Sequence, residues 1–148
     1  MLLFDYSLEP TSSRKLAAVD LAHAAPEELR YELFLGNVYL RESMEQIDFS
    51  APWGWVPVLD FALSLKAVSE ALEEDTNAKF EFTESDAVLN FERLGVDVEI
   101  TASYAAGSIR LSHAQFGALA AAFSRRVVNE LCTQNLQLAA NPEIRRHL

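Results

Sequence analysis

At 148 residues, half of them hydrophobic and 23% charged, the chain has the size and make-up of a globular domain rather than a disordered segment. Its net charge of −10 disfavours nucleic acid and anionic membranes, and its single cysteine, Cys132, excludes an internal disulfide framework. No apolar run reaches the roughly 18–20 residues of a membrane span, and the start Met1-Leu2-Leu3-Phe4-Asp5 lacks the basic flank of a signal peptide, so the expected address is cytoplasmic.

Leu2, Phe4, Tyr6 and Leu8 alternate with Leu3, Asp5, Ser7 and Glu9, which predicts a first strand ending at Pro10. Thr11-Ser12-Ser13 reads as a polar turn, and the alanine-rich stretch from Leu16 to Ala24 as a short helix closed by Pro26. Leu29, Tyr31, Leu33 and Leu35 alternate with Arg30 and Glu32 as a second strand. Gly36-Asn37 has the composition of a two-residue hairpin turn, with Val38 to Arg41 returning. Ser43 to Ser50 carries little pattern beyond one short strand.

Trp53-Gly54-Trp55-Val56-Pro57 holds both tryptophans and leads into the most apolar helical pattern of the first half. Phe61, Ala62, Leu65, Val68 and Leu72 recur at the spacing of one helix face, and Leu59, Leu63 and Ala67 add a second stripe. Pro57 suits the first turn, where no N–H is needed, and Asp60 complements the positive end of the helix dipole. This is the predicted core helix, with the tryptophans as its lid or hinge.

Glu73-Glu74-Asp75-Thr76-Asn77 is a polar stop. Four antiparallel strands are then expected, carried by Phe80 and Phe82, by Leu89 and Phe91, by Val96 to Tyr104, and by Ile109 and Leu111. Their turns are placed at Glu84-Ser85-Asp86, Leu94-Gly95 and Ala106-Gly107. Ser112-His113-Ala114-Gln115 has capping-box spacing ahead of a helical face formed by Phe116, Leu119, Ala120, Phe123, Val127 and Leu131. Asn141-Pro142-Glu143 starts a last short helix. The expectation is a single α+β domain over 1–148: an antiparallel β-meander, about six or seven strands in total, packed against a central helix and a long C-terminal helix.

Motifs that carry chemistry are missing. The five glycines stand too far apart for a dinucleotide fingerprint or a P-loop, and there is no Gly-x-Ser-x-Gly elbow. His23, His113 and His147 are scattered, without the spacing of a zinc site. Cys132 has no base or orienting acid nearby in sequence and reads as a small core residue. Asp48 and Asp60 bracket the tryptophans and could meet as an acid–base pair, although a cap and a dipole partner explain them more simply. Trp53 and Trp55 read as core anchors or as a stacking platform for a sugar or base. No catalytic residue, metal or cofactor is assigned.

The remaining functional signal is charge placement. Residues 1–69 balance at −5 and residues 100–148 at +3, whereas residues 70–99 alone carry −8. Glu81, Glu92, Asp97 and Glu99 fall on the outward phase of the predicted strands; Glu84 and Asp86 mark a hairpin tip, and Glu73, Glu74 and Asp75 a helix end. One negative face and rim would steer and hold a basic protein partner. The bland alternative is a face kept soluble by like charge.

The segments Asp48-Phe49-Ser50, Trp53 to Ala62, Phe80 to Asp86, Ser103-Tyr104 and Leu138 to Pro142 together resemble a family of small bacterial proteins. That family looks like the immunity partners of polymorphic and contact-dependent toxins. The resemblance spans roughly residues 28 to 148 and rests on structural rather than catalytic motifs, so no site transfers residue by residue. It implies a non-enzymatic antitoxin that occludes the active site of a cognate, basic toxin domain, its carboxylates standing in for substrate phosphates. The contact set expected is Glu73, Glu74, Asp75, Glu84 and Asp86, with Glu81, Glu92, Asp97 and Glu99 as the alternative face. A small-ligand or weakly enzymatic domain with a pocket near Trp53 and Trp55 is the competing reading, and a DNA-mimicking decoy the third.

Overall fold

A helix apolar on more than one side must be covered on more than one side, and the segment after Pro57 shows this. The structure, a computed structural model, describes residues 1–148, the side chain of Ser13 left aside. In chain order it has β1 (Leu2–Leu8), α1 (Pro10–Leu16), α2 (Pro26–Tyr31), β2 (Leu35–Glu42), β3 (Ile47–Asp48), β4 (Ala51–Pro57) and α3 (Val58–Ala71). There follow β5 (Asn77–Glu81), β6 (Val88–Leu94), β7 (Asp97–Ala102), β8 (Ala105–Ser112), α4 (His113–Gln134), a 3-10 turn (Leu136–Ala140) and α5 (Pro142–Arg145).

The eight strands form two antiparallel sheets of four. In the first, β2 is central, with β1 on one side and β3 followed by β4 on the other. The second is the expected meander, β5-β6-β7-β8. Helices α3 and α4 pack on each other and cover the inner faces of both sheets. Phe61 of α3 is fully buried; its ring lies 5.3 Å from Phe80, 6.3 Å from Phe82 and 6.1 Å from Phe123 of α4. Phe116 meets Phe4 of β1 at 6.4 Å and stacks on Phe91 of β6 at 5.4 Å. These rings join the two sheets into one core, each buried aromatic contributing about 2–3 kcal/mol of transfer free energy.

The helix ends follow their caps. Ser112 Oγ accepts from Gln115 N at 3.0 Å while Gln115 Oε1 accepts from Ser112 N at 3.2 Å, the reciprocal box. Asn141 caps α5 by accepting from Glu143 N at 3.0 Å, and its amide donates to Leu21 O and Ala24 O. One buried asparagine thereby fastens the C-terminus to the loop between α1 and α2. No helix is long and apolar enough to cross a membrane.

The N-terminal third departs from expectation. Thr11-Ser12-Ser13 lies inside α1 behind Pro10, and Leu16 to Ala24 is mostly turn rather than helix. The predicted strand over Leu29 to Leu35 is instead α2 and a short link. Leu29 and Leu33 are four residues apart, a helical as well as a strand spacing, and both are buried while Tyr31 between them is exposed. Pro26 with Glu27 and Glu28 starts that helix. Gly36-Asn37 is no turn, because β2 runs through it. A side chain at 36 would strike Ser7 O and the Leu8 backbone, so the glycine serves close approach of β1. In the meander the last turn falls at Ser103-Tyr104, not Ala106-Gly107, and Val96 is exposed in the β6–β7 turn instead of facing the core. The tryptophan segment is strand β4, not a hinge.

Candidate functional site

Strand β4 does not pair evenly with β2. Gly36 faces Val56 and Val38 faces Ala51, so Asn37 alone opposes the stretch from Pro52 to Trp55, which bulges outward. Gly54 adopts φ 81°, a value that glycine tolerates without steric penalty. Its N–H donates to Asn37 Oδ1 at 2.9 Å. The Asn37 amide group donates in turn to Ser7 Oγ at 3.0 Å and Glu9 Oε1 at 3.2 Å. One side chain thus ties β1, β2 and the bulge together.

The bulge carries a stacked pair. Trp53 and Trp55 have centroids 5.4 Å apart and an interplanar angle of 26°. Trp53 is half-buried, edge-on to Phe82 at 5.1 Å and to Tyr104 at 5.3 Å. Tyr104 donates its hydroxyl to Phe49 O at 2.5 Å. Burial, with the Asp48 charge behind it, pushes this phenol up, so it stays a donor. Trp55, 37% exposed, is the solvent end of the stack.

The register places the nine predicted partner-binding carboxylates in two groups. Phe82, in contact with Trp53, leads directly into the β5–β6 tip, so Glu84 and Asp86 stand at the tryptophan end of the second sheet, with Glu81 at the end of β5. Glu73, Glu74 and Asp75 precede β5, at the far end of a strand about 13 Å long. There they join Glu92, which pairs with Asn77, and Glu99, which pairs with Glu92; Asp97 lies just beyond. Glu73, Glu74 and Asp75 are therefore not brought together with Glu84 and Asp86.

Partners distinguish these acids further. Glu81 is bridged by Lys79 at 3.0 Å and Asp97 by Arg110 at 3.2 Å. The other seven make no ion pair among the described residues, and all but the half-buried Glu99 are exposed. Glu92 and Glu99 face each other across strands with no cation between them, a like-charge pairing that destabilises a sheet slightly. They line a shallow groove of about 410 Å³ on the outer face with Asn90, Thr101 and Lys79.

The candidate acid–base pair is not assembled. Asp60 is buried and held by Arg30 Nη2 at 2.8 Å. Asp48 is exposed, accepts from Ser50 N at 2.8 Å and lies 3.5 Å from Arg41. Partial burial acts to raise the Asp48 pKa, but these contacts with Ser50 and Arg41 outweigh it and hold the carboxyl below its usual range. His113 Nε2 is 2.8 Å from Ser69 O, and His23 pairs with Asp20. Burial pushes the Cys132 thiol up, away from the reactive thiolate. Among the described residues, no three His, Cys, Asp or Glu side chains gather as a metal site.

Sequence reasoning singled out the tryptophans and the acids but missed Glu9 and Asn37. Glu9, just past β1, continues the alternation of Asp5 and Ser7, and that alternation was the available signal. Comparison with protein-family models, curated proteins and solved structures finds no match to this chain.

Proposed function

We propose that this protein is an immunity-type inhibitor that binds a cognate basic toxin domain and occludes its active site through an acidic surface. The observation that carries this reading is the seven carboxylates of the middle block that make no ion pair among the described residues, six of them exposed. A fold that used these charges for its own stability would pair them; left free, they are available to a second molecule. Long-range attraction speeds encounter, and charge-assisted hydrogen bonds then hold the complex. Glu84 and Asp86 are the favoured contacts, because their hairpin tip follows Phe82, which packs on the tryptophan pair, and interfaces draw most of their energy from such aromatic anchors. Carboxylates on that tip would occupy positions a toxin otherwise gives to phosphate oxygens, which requires no chemistry of the inhibitor.

The test looks for a toxin catalytic domain encoded beside the gene and measures its binding. Calorimetric titration of Glu84→Lys/Asp86→Lys should show affinity weaker by at least about tenfold and a flatter salt dependence. Unchanged affinity and salt dependence would remove the tip from the interface. A gene neighbourhood without a secreted toxin would remove the whole reading.

A further inference from the structure

Resting on that reading, we infer that the Trp53-Gly54-Trp55 bulge is a cation platform, on which the exposed face of Trp55 receives an arginine side chain of the basic partner, flanked by Glu9 and the Glu84–Asp86 tip. Three observations converge on this chemistry. First, Trp55 is not needed to fill the core: Trp53 already plugs the gap between Phe82 and Tyr104, and Trp55 lies outside it with one face on Trp53. An indole held by stacking on a fixed neighbour loses little freedom when it binds.

Second, the bulge is fastened in place. The bond from Gly54 N to Asn37 and the positive φ of Gly54 set the path between the rings, while Asn37 is itself tied to β1. Third, the surroundings are anionic. The Glu9 carboxylate packs beside Gly54, where an added Cβ would meet Oε1 at 3.4 Å, and it has no ion pair among the described residues. Glu84 and Asp86, also unpaired, follow two and four residues after the Phe82 that supports Trp53.

The protein's own arginines show the same preference. Arg41 lies over Tyr39 at 4.9 Å and Arg126 over Tyr6 and Phe123 at 5.7 and 5.4 Å, but among the described residues none covers Trp55. The negative face of an indole beside carboxylates suits a cation better than an apolar side chain, whose approach would strip water from those charges without replacing it. Guanidinium suits it better than ammonium: the planar group stacks on the ring and its edge can fork onto a carboxylate.

Calorimetry of the full chain with an arginine homopeptide and a lysine homopeptide of equal length tests this. The wild type should bind the arginine peptide several-fold more tightly. Trp55→Leu, which keeps apolar bulk but removes the π face, should weaken that binding by about tenfold and erase the preference. Glu9→Gln should weaken both peptides by a few-fold, as should Glu84→Lys/Asp86→Lys. If Trp55→Leu binds both peptides as the wild type does while the tip variant binds them poorly, the platform falls and the acidic-inhibitor reading stands. If the wild type binds neither peptide in a salt-dependent way, both fall. Should Trp55→Leu not fold, wild-type indole emission decides, and no change on adding the arginine peptide would overturn the inference. A saturable response to a neutral oligosaccharide with none to arginine would give the platform to a sugar and likewise overturn it.

Discussion

The two sheets solve the pairing problem differently. In the meander each strand pairs with the next, and short turns set the register; Leu94 and Asp97 are joined by Gly95-Val96, with Gly95 at φ 65° in the first turn position, as such hairpins need. In the first sheet, β1 must find β2 across two helices, from Leu2↔Glu42 to Leu8↔Gly36, and β2 then pairs with β4 around a four-residue bulge. Consecutive pairing builds the meander, which has one register shift, between Ile100 and Ala102, and carries free charges on its outer face. In the first sheet the long-range β1–β2 ladder is unbroken, and the irregularity lies between β2 and β4, where it carries the tryptophans. On one shared core, the meander supplies charge and the bulged first sheet supplies shape.

The comparison breaks most directly at Phe61, which links Phe80 of β5 and the adjoining Phe82 to Phe123 of α4. Phe61→Ala should destabilise the fold by about 3–5 kcal/mol, read from denaturant unfolding, because the space is lined by Phe80, Phe82 and Phe123 and has no route to collapse. If the two sheets share one core, the variant still unfolds in a single step. Two separated transitions would show that the meander stands alone and that α3 belongs to only one side.

A pair of glycine substitutions sharpens the contrast. Gly36→Ala should cost about 2–3 kcal/mol, since its methyl would enter the β1 backbone at Ser7. Gly95→Ala has nothing within 4 Å to strike and loses only the left-handed conformation, about 1 kcal/mol. Melting curves measured side by side should rank them in that order. A Gly36→Ala protein as stable as Gly95→Ala would mean that β1 can slide away, and that the first sheet is looser than its register implies.

These glycines also show what the sequence could reveal. At Leu94-Gly95 the residues that interact are adjacent in the chain, so turn composition and strand alternation are read in one window, and the meander, core helix and capped α4 were all legible. At Gly36 the deciding neighbour is Ser7, about thirty residues away, and composition alone imitates a hairpin. Leu29 to Leu35 misled for another reason: its apolar spacing satisfies both periods, and only the proline and acids at Pro26 to Glu28 separate them. The candidate site was legible by residue type but not by arrangement. Charge counting finds Glu73 and Glu84 equally well, whereas only the β5 register puts them at opposite ends of a strand. The joint of Glu9, Asn37 and Gly54 depends on a bulge that leaves no local mark.

The mildest probe of the contrast is acid. His147 follows α5, close to Lys66 of α3 and Arg30 of α2, on the side of the molecule built by non-local contacts. Its pKa is lowered, first by burial and then by the positive charges of Lys66, Arg146 and Arg30, with Glu143 opposing them. The folded chain therefore binds this proton less readily than the unfolded chain, whose histidines titrate near ~6.5. The stabilising effect of the neutral ring is fully present above that value and is lost as pH falls through the lower, folded pKa. His147→Gln removes the linkage, so between about pH 7 and pH 5 the variant's denaturation midpoint should fall less than that of the wild type. Parallel declines would mean that the ring is as wet in the folded protein as in the unfolded chain. A steeper decline in the variant would reverse the sign and place Glu143, not the surrounding cations, in control of the imidazole.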